Sequence, residues 1–454
     1  MRFDTYDYAT FLVVMLAIFY VLPFRFGKIA LLAGSYYFYA GWNPYYVPLL
    51  FALTVFDYAA ARAIARHERG HRAWLAASIA ANLSFLGFFK YANFLTGTVA
   101  GLFGVPSSAF VVQVVVPLGI SFHTFQSIAY VVDVHRGRQE PVRNFLDYAL
   151  FIAFFPQLVS GPIVRAAQFF PQLANWRRPT AAMVERGLVL IALGYVKKVV
   201  AADHLATVVT PYFAAAGGQP GWLPAWSAAL AFGLQIYFDF SAYTDIALGS
   251  ALLLGFVLPP NFDRPYFAPD IGEFWRRWHM SLSFWLRDYL YIPLGGNRLG
   301  RVRTYANLML TMLLGGLWHG AAWHFVAWGG YHGVLLSLRR ALGPRLVGVA
   351  GTLLTFALVT VGWVFFRAQN LGDALAVLGQ MFSLQAGANI LDEGAIAIFA
   401  LAFVVGIVDN RYRIVDALVR APLIVRGFAL GTMLVTLLLF AHTGDQVPFI
   451  YFQF

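Results

Sequence analysis

The sequence predicts an all-α, polytopic membrane protein, on three observations. Of its 454 residues, 60% are hydrophobic and 12% charged, against about 25% charged in a soluble domain. Stretches of about 15–20 residues without a charge recur along the chain, enough to span a hydrocarbon core. They are continuous, whereas membrane-barrel strands alternate with period two. Short basic clusters separate them: RFGK at 25–28, RAIARHERGHR at 62–72, HRGRQEPVR at 135–143, NWRRP at 175–179, NRLGRVR at 297–303, LRRALGPR at 338–345 and DNRYR at 409–413. This positive-inside pattern places those loops in the cytoplasm. The net charge of +11 is dispersed over the loops, which argues against a nucleic-acid partner.

Taken in order, the candidate spans are 9–24, 28–41, 46–62, 73–89, 110–132, 144–160, 186–202, 225–256, 303–318, 321–338, 347–366, 393–408 and 423–441, giving roughly ten to thirteen membrane segments. Residues 9–24 are expected as a membrane helix and not a removed signal peptide, since Asp4 and Asp7 accompany Arg2 and no small-residue cleavage site follows. Basic loops flank 144–160 on both sides, so that segment is expected to enter and return, which protein or a water-filled cavity must surround. GWNPYY at 41–46 and PSS at 106–108 are expected outward turns. Phe274, Trp275, Trp278, Leu282, Trp285, Leu286, Tyr289 and Leu290 recur at helical spacing, with Arg276, Arg277, Arg287 and Asp288 off that stripe. Residues 272–293 are therefore expected as an amphipathic interfacial helix stopped by Pro293. The chain is expected to be one integral-membrane domain, 1–454, with helices of 1–110 packing on a motif-bearing core of 111–454.

Ionisable groups at membrane depth are site candidates unless paired. His279 lies in FWRRWHMSLSFWLRDYLYIPLGG and His319 in LLGGLWHGAAWHFVAWGGYHG; a satisfied core histidine is the plain alternative for each. On one continuous helix His324 and His332 would each lie about 140° from His319, which suits structural roles and no i, i+4 metal pair. Gln235, Asp239 and Tyr243 share one helix face, and Ser241 and Asp245 another. Their carboxylates need partners, and a tie to Arg or Tyr is weighed against a proton path. HERGH at 67–71 matches the zinc-protease pattern H-E-x-x-H, but it sits in a basic loop and Gly70 weakens the helix it needs, so no metal site is expected. Cysteine is absent, which excludes a thiolate nucleophile and a disulfide framework. No G-x-S-x-G elbow or phosphate-binding G-x-x-x-x-G-K-[ST] loop occurs.

Several segments together carry a resemblance: VPLGISFHTFQSIAYVVDVHRG (116–137), FIAFFPQLVSGPIVRAAQFFPQL (151–173), YFDFSAYTDIALG (237–249), NFDRPYFAPDIGEFWRRWHMSLSFWLRDYLYIPLGGNR (261–298), GGLWHGAAWHFVAWGGYHG (315–333) and the terminal FIYFQF. The chain resembles the membrane-bound O-acyltransferase family in its bacterial branch, which includes alginate O-acetyltransferase membrane subunits and teichoic-acid D-alanylating members. The resemblance implies a ring of helices around a thinned centre, with a histidine site reached from both faces. It implies that His319 is the essential residue and His279 its second polar partner. Acyl transfer to an alcohol needs a base for the hydroxyl proton, which imidazole supplies near neutral pH, and a donor for the oxyanion. His319 is accordingly expected as base and His279 as orienting or oxyanion-stabilising partner. Candidate substrate or donor contacts are Trp318, Trp278, Asp239, Tyr243 and the cations Arg165, Arg276 and Arg277, which suit the phosphates of coenzyme A or lipid headgroups.

The function expected is transfer of an acetyl group from a cytoplasmic thioester, acetyl-coenzyme A, towards hydroxyls of an exported polysaccharide such as alginate. No permanently bound cofactor is expected. The partners are the thioester donor, membrane lipids and a periplasmic polysaccharide-modification protein; the location is the bacterial inner membrane. D-alanyl in place of acetyl transfer, and a transporter without chemistry, are the alternatives; the latter predicts internal repeats, which the sequence does not display.

Overall fold

The computed structural model describes residues 1–66, 70–105, 111, 115–159, 161–215, 218–343, 348–440 and 449–450. His67 and Glu68 of HERGH, the PSS turn and residues 451–454 of FIYFQF lie outside them. Among the described residues the regular structure is helical, without strands. The chain divides into two compact units, one of Met1–Leu188 with Ile246–Pro259, the other of Val189–Asp245 with Pro260–Phe454.

The first unit contains α1 (Tyr6–Val21), α2 (Phe24–Ala40), α3 (Val47–Arg66), α4 (His71–Leu86), α5 (Ala92–Leu102), α6 (Ile120–His135), α7 (Phe145–Ala153), α8 (Phe155–Leu158), α9 (Ala166–Ala174) and the start of α10 (Ala181–Val196). The expected spans at 9–24, 28–41, 46–62 and 73–89 are all helical, with ends shifted by a few residues. Segment 144–160 is not one helix. Asn144 caps α7 by accepting from Leu146 N–H, and α7 stops after 9 residues where Phe154 leaves helical geometry at φ −54° and ψ 109°. Such a helix rises about 13 Å, less than half a hydrocarbon core. Tyr148 to Phe155 are all buried in protein, the condition under which broken backbone is tolerated at depth. At Asp57 of α3, Ser78 Oγ–H (2.6 Å) and Asn82 Nδ2–H (2.9 Å) of α4 donate to the carboxyl.

The second unit holds the rest of α10, α11 (Asp203–Ala214), most of α12 (Trp222–Leu253), α13 (Ile271–Arg277), α14 (Met280–Leu286), α15 (Gly300–His319), α16 (Trp323–Leu342), α17 (Gly348–Arg367), α18 (Leu371–Met381), α19 (Glu393–Tyr412), α20 (Ile414–Arg420) and α21 (Leu423–Phe440). Five helical stretches of the described chain are long and apolar enough to cross a membrane: Pro44–Arg66, His71–Leu102, Gly348–Arg367, Glu393–Tyr412 and Leu423–Phe440. The last two are almost uncovered by protein, and helices apolar all round without a protein cover belong in lipid.

The glycines of GGLWHG and WGGYHG set how closely α15 and α16 pack. A Cβ at Gly316 would stand 2.2 Å from the Phe325 carbonyl oxygen, and one at Gly329 2.2 Å from that of Met312. Small residues at such crossings let helix backbones touch, the main source of helix association in lipid. Because His319 is the last residue of α15, the crossing also fixes its position. Gly316→Ala or Gly329→Ala is expected to cost about 1–3 kcal/mol by overpacking, read as a lower thermal midpoint in detergent. An unchanged midpoint in both variants would contradict this close packing.

Candidate functional site

The stretch expected as one amphipathic helix over 272–293 is broken at its centre. Asp270 caps α13 by accepting from the N–H groups of Gly272 (2.8 Å) and Glu273 (3.0 Å), and Arg339 of α16 grips the same carboxylate through Nε (3.1 Å) and Nη2 (3.0 Å). Burial pushes the Asp270 carboxyl up, but the hydrogen bonds from Arg339 and the helix N–H groups outweigh it and hold the group below its ordinary value. α13 ends at Arg277, Trp278 turns extended, and His279 takes φ 42° and ψ 54°. That is the left-handed region, a conformation costing of order 1–3 kcal/mol for a residue with a side chain, though histidine visits it more readily than most. The helix resumes as α14, passes through a wider turn at Arg287–Tyr291 and stops before Pro293.

The loop before α13 holds this kink. Asn261 is buried, and its main-chain oxygen accepts from Met280 N–H at 2.9 Å. Its side-chain Oδ1 accepts from Ser281 N–H (3.2 Å) and Ser281 Oγ–H (2.9 Å) and lies 3.1 Å from His279 Nδ1. Asp263 N–H donates to the Arg277 carbonyl at 3.0 Å. Tyr266 pins the far end of the loop: its hydroxyl donates to the Gly233 carbonyl of α12 and accepts from Trp363 Nε1–H of α17 at 3.1 Å. Sequence reasoning did not single out Asn261. Its only signal was a lone amide at the head of NFDRPYF, a segment quoted for the resemblance.

The backbone also breaks after His319. Gly320 is extended, and α16 begins at Trp323 after Ala322. His324 and His332 therefore do not stand about 140° from His319, a relation that holds only on one continuous helix. His324 bonds through Nδ1 to the Phe365 carbonyl oxygen at 2.9 Å. His332 is buried among Phe274, Trp275, Trp328 and Tyr331.

His279 and His319 do come together. Their ring centroids are 6.3 Å apart, and the two residues are 0% and 4% exposed. That spacing is too long for a direct N–H···N contact between the rings. Aromatic side chains wall them in: Phe240 at 4.7 Å from the His279 ring and Trp318 at 5.9 Å, with Trp328 (5.1 Å) and Phe366 (5.2 Å) edge-on to His319. Trp318 is thus a wall of the histidine pair. Trp278 packs 4.8 Å from Trp363 and stacks on Phe274, which places it in the aromatic packing behind the kink.

The other candidates are distributed. Asp239 is paired with Lys198 (3.1 Å), which also contacts Asp203 (2.7 Å), and accepts from Ile450 N–H at 2.7 Å. Tyr243 stacks on Phe449 at 3.9 Å. Asp245 pairs with Lys197 at 2.6 Å. The carboxylates of α12 are thus tied to the lysines of YVKKVV (195–200), where the sequence weighs a tie to Arg or Tyr against a proton path. Arg276 and Arg277 both pair with Glu273, Arg277 at 3.7 Å, so part of their charge is compensated within α13. Arg165 belongs to the other unit, at the start of α9, where its N–H donates to Gln168 Oε1 at 3.2 Å.

The membrane-bound O-acyltransferase family model matches residues 73–346, more than half of the chain. The chain is 44% identical over 384 residues to a probable alginate O-acetylase of Azotobacter vinelandii, covering 82% of this chain and 76% of that protein. Against a probable alginate O-acetylase of Pseudomonas aeruginosa it is 44% identical over 383 residues, 82% and 73% of the two chains. Against a peptidoglycan O-acetyltransferase of Helicobacter pylori it is 39% identical over 398 residues, 79% and 74% of the two.

The buried lysine yields a test of this assignment of charges. Lys198→Met strips the cation from between two carboxylates and is expected to cost about 3–5 kcal/mol, since an uncompensated buried charge remains. Lys198→Met combined with Asp239→Asn should recover part of that loss. The check is denaturation of both variants in detergent; a double variant no more stable than the single one contradicts the pairing.

Proposed function

The chain belongs to the membrane-bound O-acyltransferase family, and from that premise we propose that it transfers an acetyl group from acetyl-coenzyme A to hydroxyls of an exported glycan of the alginate type. It is a multi-pass membrane protein and an O-acyltransferase. Acetyl is favoured over D-alanyl because the relatives matched over most of the chain are an alginate O-acetylase and a peptidoglycan O-acetyltransferase. The proposed setting is the cytoplasmic membrane of a bacterium, with the donor arriving from inside and a periplasmic partner completing delivery to the polysaccharide.

The observation that carries this reading is the pair of buried imidazoles whose ring centroids stand 6.3 Å apart. In the proposed step an imidazole takes the proton of the acceptor hydroxyl as its oxygen attacks the thioester carbonyl. The C–O bond forms, the C–S bond breaks, and the proton passes to the departing thiolate, giving ester and thiol. His319 is proposed as the base and His279 as the second imidazole that orients the reacting groups. The aromatic walls keep bulk water from the thioester, so that the alcohol and not water is the nucleophile.

The test is reconstitution in liposomes with acetyl-labelled coenzyme A inside and a glycan acceptor outside. The wild-type protein is expected to place label in glycan ester. His319→Ala is expected to lower the rate by at least about 100-fold, the lower range for loss of a general base, with normal membrane insertion. Ester formation at the wild-type rate by that variant would overturn the role of His319.

A further inference from the structure

We infer that Asn261 is a positioning residue that fixes the tautomer of His279, with the proton on Nδ1 and the lone pair on Nε2; this deepens the two-imidazole reading above and rests on it. A backbone N–H can only donate, and Ser281 N–H points at the terminal atom of Asn261 at 3.2 Å, so that atom is the oxygen and not the nitrogen of the amide. An amide oxygen only accepts. His279 Nδ1 lies 3.1 Å from the same oxygen, so Nδ1 must be the donor. A neutral imidazole has a single N–H, and Nε2 therefore carries the lone pair.

The arrangement is over-determined. Asn261 binds His279 through its side chain and, through its main-chain oxygen, the N–H of the next residue, Met280, at 2.9 Å. The Ser281 hydroxyl donates to the same Oδ1 at 2.9 Å. The left-handed backbone at His279 and the ring orientation are thus set by one buried residue 18 positions upstream. The chemical consequence concerns role. In this tautomer neutral His279 offers an acceptor and no N–H beyond the one given to Asn261. It cannot donate to an oxyanion before it has itself taken up a proton. His279 is thereby assigned the role of a hydrogen-bond acceptor that orients the hydroxyl beside the base His319. Of the two roles expected for His279, orienting or oxyanion-stabilising, this tautomer fits the orienting one.

The test uses full-length protein labelled with ¹⁵N-histidine in liposomes, with the His279 signal identified by its loss in His279→Gln. The expected spectrum has a protonated Nδ1 and an unprotonated Nε2 at neutral pH; the opposite assignment overturns the inference. In kinetics, Asn261→Leu is expected to lower kcat by about 10–100-fold, the range seen when a residue that orients a metal-ligating imidazole is lost, with KM for the thioester unchanged. Asn261→Asp, which retains an acceptor oxygen, recovers most of that loss. Wild-type kcat in Asn261→Leu overturns the positioning role, and if that variant fails to accumulate, the wild-type spectrum alone decides. Failure of the underlying reading looks different: His279→Gln would keep its turnover while the wild-type spectrum still showed the proton on Nδ1.

Discussion

The hydrogen bonds received by the Asn261 side-chain oxygen are what the site depends on. A histidine in the left-handed region is unfavourable, and an interfacial helix left to its own propensity would run straight through this position. The amide stabilises the interruption by gathering the His279 imidazole, the Ser281 N–H and the Ser281 hydroxyl onto one acceptor. Tyr266 then anchors the loop that carries Asn261 to two neighbouring helices, through Gly233 and Trp363. Strain at one residue, held by packing and hydrogen bonds around it, places the imidazole 6.3 Å from its partner.

The partner arrives by a different route. His319 ends α15 because Gly320 is extended, and its height is set by the glycine crossing of α15 with α16. Where water does not drive helices together, close contact between backbones does. The buried charges of this unit follow the same logic. Lys198 lies between Asp203 and Asp239, and Lys197 beside Asp245, so the carboxylates of α12 are matched within the protein, while α19 and α21 turn apolar faces outward. The imidazoles, by contrast, are walled by rings of Trp318, Trp328, Phe240 and Phe366, an enclosure of the kind that excludes bulk water.

Hydropathy and the spacing of basic clusters made the helical, membrane-embedded class legible, and helices such as Gly348–Arg367 and Leu423–Phe440 fall within a few residues of their expected bounds. Both histidines were legible too, since imidazoles in tryptophan-rich apolar sequence stand out. The breaks at His279 and Gly320 were not. Periodicity sees an unbroken stripe through 272–293, because the force that interrupts it comes from Asn261, outside the window. Likewise the partners of Asp239 and Asp245 lie on a separate helix, and no local pattern joins them to Lys198 and Lys197. Arg276 and Arg277 were legible as cations but not as partners of Glu273, although the i, i+3 and i, i+4 spacing carried that signal. Sequence reveals periodic features well and tertiary hydrogen bonds poorly, and this site is made of the latter.

The most direct measurement is a cryo-electron microscopy structure of the protein with a non-hydrolysable thioester analogue of acetyl-coenzyme A. The account predicts the analogue's carbonyl lodged between the two imidazoles, within about 4 Å of ring nitrogens of both His279 and His319, with Asn261 still bonded to His279 Nδ1. A carbonyl seated away from this pair, with the two rings packed against side chains and no passage leading to them, would contradict it.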